Sequence, residues 1–324
     1  MSIDIHNHAI PDGVLDLVAA KPVYGVTISD GVWSSRNIGT FPLLDAWRDP
    51  DAKLREMDGK ELDRAVLSVA PKPLYYYELG LPEQAEMART ANAGLAAFCA
   101  GREDRLRWMA HLPLAFPEEA ATVLREALEQ GAAGVELGTS AAGRRFDDPV
   151  FEVLWSELES LEVPVFLHPA YESEGPENEG FALPAVLGLP YETTNAIHRL
   201  IYGGVLDRHP NLRLVAALGG GLFPYVAGRM RHYATFRPEL ESAPADPWDY
   251  VGQVKFDSHL HDPVALRFLI DKAGEQNVMI GTDCSFLSCT PAPMDELRAA
   301  LRDRPSAFAA VADGNAAAMF WDRR

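Results

Sequence analysis

Residues 163–169 read Val163-Pro164-Val165-Phe166-Leu167-His168-Pro169, an unbroken apolar run that ends on a histidine. A run so short and so uniformly apolar has the character of a strand buried on both faces, and the ionisable residue at its end marks the strand's carboxyl end. Seven further runs share this character: Ile3 to Ile5, Ala65 to Ala70, Arg107 to Leu112, Gly134 to Leu137, Leu212 to Ala217, Val254 to Phe256 and Val278 to Ile280. Amphipathic stretches lie between them. Pro117-Glu118-Glu119 opens one that closes on Gly131, and Pro263 to Ala273 closes on Gly274, each with the proline start and glycine stop of a helix. Eight strands alternating with helices predict an α/β fold, a single (β/α)8 TIM barrel, and residues 1–324 are expected to form that one domain.

Two connections are longer than a barrel requires. Residues 9–53, rich in Trp and Phe, form a small insertion after strand 1, and residues 169–195 include the acidic stretch Glu172 to Glu179. Long loops at the carboxyl ends of barrel strands build the pocket wall or its lid.

Composition narrows the function. The chain has 48% hydrophobic and 23% charged residues, an ordinary globular mixture. Its 47 acidic against 29 basic residues give a net charge of −18, which repels phosphate backbones and anionic membranes, so no nucleic acid partner is expected. The longest uncharged stretch, Leu214 to Gly228, is 15 residues long and interrupted by four glycines and a proline, whereas a membrane span takes about 20. The N-terminus enters an apolar strand at once, without the basic start and long apolar run of a signal peptide, so secretion is not expected. Cys99, Cys284 and Cys289 lack CxxC spacing and leave one unpaired, so reduced thiols of a cytoplasmic protein are expected.

The polar strand ends suggest a metal centre. Strand 1 ends Ile5-His6-Asn7-His8, and alternation along a strand sends the two histidines to one side. His168 ends its apolar run, and Asp283 follows Val278-Met279-Ile280-Gly281-Thr282. A carboxylate there needs a partner. Three histidines and one aspartate, His6, His8, His168 and Asp283, suit a single zinc-like divalent ion, with manganese, cobalt and iron as alternatives.

These residues, with Phe166-Leu167-His168-Pro169, Gly219-Gly220-Gly221 and Ile280-Gly281-Thr282-Asp283, resemble the amidohydrolase-related family of aminocarboxymuconate semialdehyde decarboxylase. The resemblance extends through Leu54-Arg55-Glu56-Met57-Asp58, Glu192-Thr193-Thr194, His209-Pro210, Phe223-Pro224-Tyr225, Gly228-Arg229 and His261-Asp262-Pro263. It implies one metal ion and nonoxidative loss of a carboxylate from a small aromatic or dienoic acid. It also implies a homodimer, in which Arg229 reaches the substrate carboxylate of the partner, with Arg36 as the companion arginine and His261 matching a pocket histidine.

The family pattern breaks at Leu218, where the enzymes it resembles carry a histidine that acts as a base. Losing a base costs a factor of about 10² to 10⁴ in rate. His259, two residues past Asp257, is the candidate replacement. Alternatively the ion acts as a Lewis acid alone, in a ring-forming cyclisation, a cyclodehydration or the hydrolysis of an acylated aromatic substrate, for which a drier pocket lined by Leu218 is suited. A metabolite-binding relative without activity is the third reading. Cys284 is read as a pocket or core thiol.

Overall fold

The computed structural model describes residues 1–35, 39–69, 76–170, 180–240 and 246–322. Arg36 and the acidic stretch Glu172 to Glu179 lie outside the described residues.

Eight parallel strands pair in chain order: β1 (Ile3–Ala9), β2 (Arg64–Val69), β3 (Leu106–Ala110), β4 (Gly134–Leu137), β5 (Pro164–Leu167), β6 (Arg213–Ala216), β7 (Val254–Asp257) and β8 (Val278–Met279). Asp4 bridges to Ile280, and the Ile5 N–H donates to the Ile280 carbonyl at 2.9 Å, which brings the last strand back beside the first. A helix follows each strand: α1 (Pro50–Asp58), α2 (Leu81–Cys99), α3 (Pro117–Glu129), α4 (Glu152–Ser160), α5 (Leu189–Tyr202), α6 (Phe223–Ala234), α7 (Pro263–Ala273) and α8 (Pro293–Ala300). The architecture is the (β/α)8 barrel that the sequence pattern predicts.

Local chemistry sets the helix limits. In α3, Pro117 stands at the first position, Glu118 and Glu119 meet the positive end of the helix dipole, and Ala120, Val123, Leu124 and Ala127 form the buried stripe. Each of its larger side chains contributes about 1.5–3 kcal/mol by burial. In α7 the Asp262 carboxylate accepts from the Val264 N–H at 2.7 Å, and Gly274, with φ 84°, takes the chain out of the helix.

The insertion between β1 and α1 is a helix, Asp12–Ala20, followed by a three-stranded antiparallel sheet of Val26–Ser29, Val32–Ser35 and Gly39–Pro42. Asp30 and Gly31 both take positive φ, 51° and 73°, the two-residue turn whose twist suits a hairpin.

Apolar side chains fill the lower barrel. Ile3, Ile5, Val66, Met109, Phe166, Val215 and Met279 pack in one fully buried cluster against Met319 and Phe320 of the last turn, Ala317–Trp321. Pairing between β1 and β2 shifts register between Asp4 and Asn7. The irregularity lets Ile3 and Ile5 face this interior cluster while His6 and His8, of opposite parity, also turn inward just above it.

Candidate metal centre

Each histidine is placed by the end of a barrel strand, and each is held at Nδ1. His6 Nδ1 meets Asp257 Oδ2 at 2.7 Å, His8 Nδ1 meets Ser68 Oγ at 3.0 Å, and His168 Nδ1 lies 2.7 Å from the Pro169 carbonyl. The three Nε2 atoms are buried and have no hydrogen-bond partner. They converge with Asp283, one donor atom from each of the four residues lying within 4.8 Å of the others. His6 Nε2 and His8 Nε2 stand 3.4 and 3.2 Å from Asp283 Oδ1. Donors about 2.0 Å from one tetrahedral ion would keep a spacing of about 3.3 Å. Fixing the rings through Nδ1 while Nε2 stays free is how proteins orient imidazole ligands.

The electrostatics fit a cation. Burial pushes His8 down to about 4 and His168 well below its ordinary value. Burial also opposes a charge on His6, but the hydrogen bond to Asp257 and the nearby Asp283 carboxylate outweigh it and lift His6 to about 10. Burial works against ionising Asp283, yet His6 and His8 hold its carboxyl well below the usual carboxylate range, and His6 does the same for Asp257. Two carboxylates, Asp257 buried and Asp283 largely so, therefore face one imidazolium, an excess of negative charge that a divalent cation would balance.

His259 borders the cluster. Its Nε2 is 3.7 Å from Asp283 Oδ2, and its Nδ1 is 3.0 Å from Thr290 Oγ1. Burial holds it down at about 4. His261 is exposed, its ring 4.4 Å from that of His259. Leu218 follows β6 with φ 58°, partly buried against the interior cluster, and leads into Gly219, whose N–H donates to Asp257 Oδ1 at 2.7 Å. Gly221 has φ 63°, and a Cβ there would come within 2.1 Å of the Pro190 carbonyl oxygen, so only glycine lets α5 approach this turn.

Arg229 lies apart from this group. It projects from α6 into a groove shared with His198 and Tyr233, its guanidinium 4.5 Å from the Tyr233 ring and its Nη2 donating to the Tyr233 hydroxyl at 2.7 Å.

Several residues that shape the site carry no signal in the sequence. Lys53, fully buried, donates to Asn7 Oδ1 at 2.8 Å, Glu56 Oε2 at 3.0 Å and Ser285 Oγ at 2.8 Å, tying α1 to the ends of β1 and β8. Asp4 accepts from Thr282 Oγ1 at 2.6 Å and Asn7 Nδ2 at 2.9 Å, and burial pushes its carboxyl up to about 6. Asp257 shows only as one more polar strand end.

One expectation is corrected. Cys284 and Cys289 are not free thiols but are joined as a disulfide, their Cα atoms 4.8 Å apart, while Cys99 is free and buried. Two turns bring the pair together: the Phe286 N–H donates to the Asp283 carbonyl at 3.2 Å and the Cys289 N–H to the Phe286 carbonyl at 3.1 Å.

Comparison with known proteins agrees with this architecture. Residues 3–321 match the family described as amidohydrolase. The chain is 33% identical over 305 residues to 2-amino-3-carboxymuconate-6-semialdehyde decarboxylase of Dictyostelium discoideum, covering 88% of this chain and 82% of that protein. The apo structure of Metarhizium anisopliae IDCase superposes with a TM-score of 0.87 at 24% identity, covering 99% of this chain and 97% of the other. A 5-carboxyvanillate decarboxylase from Novosphingobium aromaticivorans, complexed with manganese and 4-hydroxy-3-methoxy-5-nitrobenzoic acid, has a TM-score of 0.80 at 22% identity, covering 99% and 96%. No helix among the described residues is long and apolar enough to cross a membrane.

Proposed function

The chain belongs to the amidohydrolase family, and from that premise we propose that it is a metal-dependent decarboxylase of a small aromatic or dienoic acid. The observation that carries this reading is the convergence of three buried, unpartnered imidazole Nε2 atoms on the Asp283 carboxylate. The decarboxylase activity of the Dictyostelium relative supports it. Residues 1–324 would act as one domain.

His6, His8, His168 and Asp283 would hold one divalent ion. Their three nitrogens and one oxygen suit zinc first, and the manganese of the Novosphingobium structure keeps a second ion in view. When bound, the ion supplies a Lewis-acid centre that polarises a substrate oxygen. Asp257, Ser68 and the Pro169 carbonyl keep the three rings aimed. Nonoxidative decarboxylation exchanges a C–C bond for a C–H bond, so the site must move a proton. His259 is placed to take part in that transfer: its Nε2 faces the cluster beside Asp283, and burial keeps its ring neutral at pH 7. His261 stands beside it toward solvent and would contact the outer part of the substrate.

Arg229 points into an outer groove and makes no ion pair among the described residues, which suits the anchoring of a carboxylate in a partner's pocket and hence a homodimer. Arg36 is the proposed companion.

Leu218 favours a second reading. With hydrocarbon at this position, the site lacks the base of its relatives and suits loss of water in ring closure, or hydrolysis of an acylated aromatic. Product mass separates the two. Metal-loaded protein is given a panel of amino- and hydroxybenzoates with their esters and amides, with Asp283→Ala as control. Metal-dependent loss of carbon dioxide supports decarboxylation, and a change by water alone overturns it. His259→Ala should slow turnover by a factor of about 10² to 10⁴; full turnover with an unchanged pH profile would remove His259 from the reaction.

A further inference from the structure

The loop after β8 holds a pair of sulfurs that the proposed reaction does not use. Cys284 directly follows Asp283 and is fully buried, while Cys289 is partly exposed and joined to it. Several contacts made between them run toward the cluster or its supports. Ser285 Oγ donates to the Glu56 carboxylate and accepts from Lys53 Nζ at 2.8 Å. The Phe286 ring lies 5.5 Å from the His8 ring and 5.2 Å from the Trp47 ring. Ser288 Oγ donates to Asp283 Oδ2. Thr290, next after Cys289, holds His259 Nδ1.

We propose that Cys284 and Cys289 are a reversible dithiol–disulfide site that sets how firmly this loop holds Asp283, and so how long the metal stays bound. The proposal rests on the metal-centre reading. With the crosslink closed, Ser288 and Phe286 are kept against Asp283 and His8. With it open, the loop is held by its hydrogen bonds and ring contacts alone.

The chemistry balances with ordinary partners. A dithiol reductant attacks the accessible Cys289 sulfur through one thiolate, the S–S bond breaks, and Cys284 leaves as a thiolate that takes up a proton. The second thiol of the reductant then displaces Cys289, leaving two protein thiols and an oxidised, cyclic reductant. In the other direction, the Cys289 thiolate attacks a peroxide, releasing an alcohol or water and forming a sulfenic acid; the Cys284 thiol displaces water from it and restores the disulfide. Cys99 serves as an internal standard, since it lies buried on α2, where burial pushes its thiol up to about 12.

The test has two readouts, neither of them turnover. Metal-loaded protein is treated with hydrogen peroxide or with tris(2-carboxyethyl)phosphine, and the reagent is removed. Alkylation under denaturing conditions, read by intact mass, should find one thiol in the first sample and three in the second. The rate of metal loss to a competing chelator should be about tenfold faster in the reduced sample, within the range that loss of an outer hydrogen-bond partner produces at metal sites. Cys289→Ser should release metal at the faster rate in both conditions. The wild-type comparison stands without the variant should that variant misfold. Three thiols after peroxide, or equal release from both forms, overturns the proposal and leaves the metal centre intact. Failure of either form to retain an ion overturns both.

Discussion

The two ends of the barrel are built from the same strands and behave as different materials. At the lower end, Ile3, Ile5, Val66, Phe166 and Met279 close on Met319 and Phe320, all hydrocarbon or thioether and all buried. At the upper end, strands of the same barrel deliver His6, His8, Ser68, His168 and Asp257, also buried but ionisable or polar. Burial at the bottom is favourable in itself, whereas burial at the top is tolerable only because each group has a partner or, for the three Nε2 atoms, an ion to meet. Left-handed backbone, by contrast, occurs at both ends: Glu61 and Glu162 precede β2 and β5 with φ 57° and 51°. Leu218, His261 and Asp283, beyond the ends of β6, β7 and β8, all take left-handed φ of 58°, 56° and 58°. Such conformations cost about 1–3 kcal/mol each and persist where surrounding structure enforces them.

Substitutions can test whether the ends are independent. The largest effect is expected at the top: Asp283→Ala should abolish metal binding and lower turnover by about 10³-fold or more, the equivalent of several kcal/mol of Lewis-acid stabilisation, while calorimetry finds the metal-free fold intact. Phe320→Ala should do the reverse, lowering unfolding free energy by about 3–5 kcal/mol in denaturant titration with metal affinity unchanged. Joint loss of both properties in either variant would mean that the ends are coupled. Asp257→Asn keeps shape but weakens the hold on His6, so metal affinity should fall about 10- to 100-fold by competition titration. The smallest effect is a proton count. Metal-free His6, held at about 10, is protonated at pH 7, while His8, at about 4, and His168, lower still, are neutral. A ligand nitrogen cannot keep its proton, so metal loading at pH 7 should release about one proton, and affinity should fall about tenfold per unit decrease in pH. Calorimetry in buffers of different ionisation enthalpy measures it.

Strands and strand ends were legible because they obey short-range rules. Val165, Phe166 and Leu167 are apolar in sequence and buried in the fold, and His168 stands where the run stops. The edges shift slightly: β3 stops at Ala110 because Asn92 of α2 takes over the backbone of His111, accepting from its N–H at 2.8 Å and donating to its carbonyl at 3.1 Å. What the sequence conceals depends on distant pairing. Lys53 follows Asp51 and precedes Arg55 on a charged helix, and only the meeting of α1 with Asn7 and Ser285 makes it a buried residue. The Cys284–Cys289 link likewise depends on two turns that no spacing rule describes.

The irregularity in β1 between Asp4 and Asn7 gives this strand a hidden phase. Strict alternation would let either the isoleucines or the histidines face the axis, not both, and one additional residue reconciles them. Removing a single residue there would restore a regular pleat and rotate both imidazoles into the layer between strand and helix, with Ile3 and the plug beneath left in place. The reading frame of side chains along one strand thus separates a barrel that folds from a barrel that has a site.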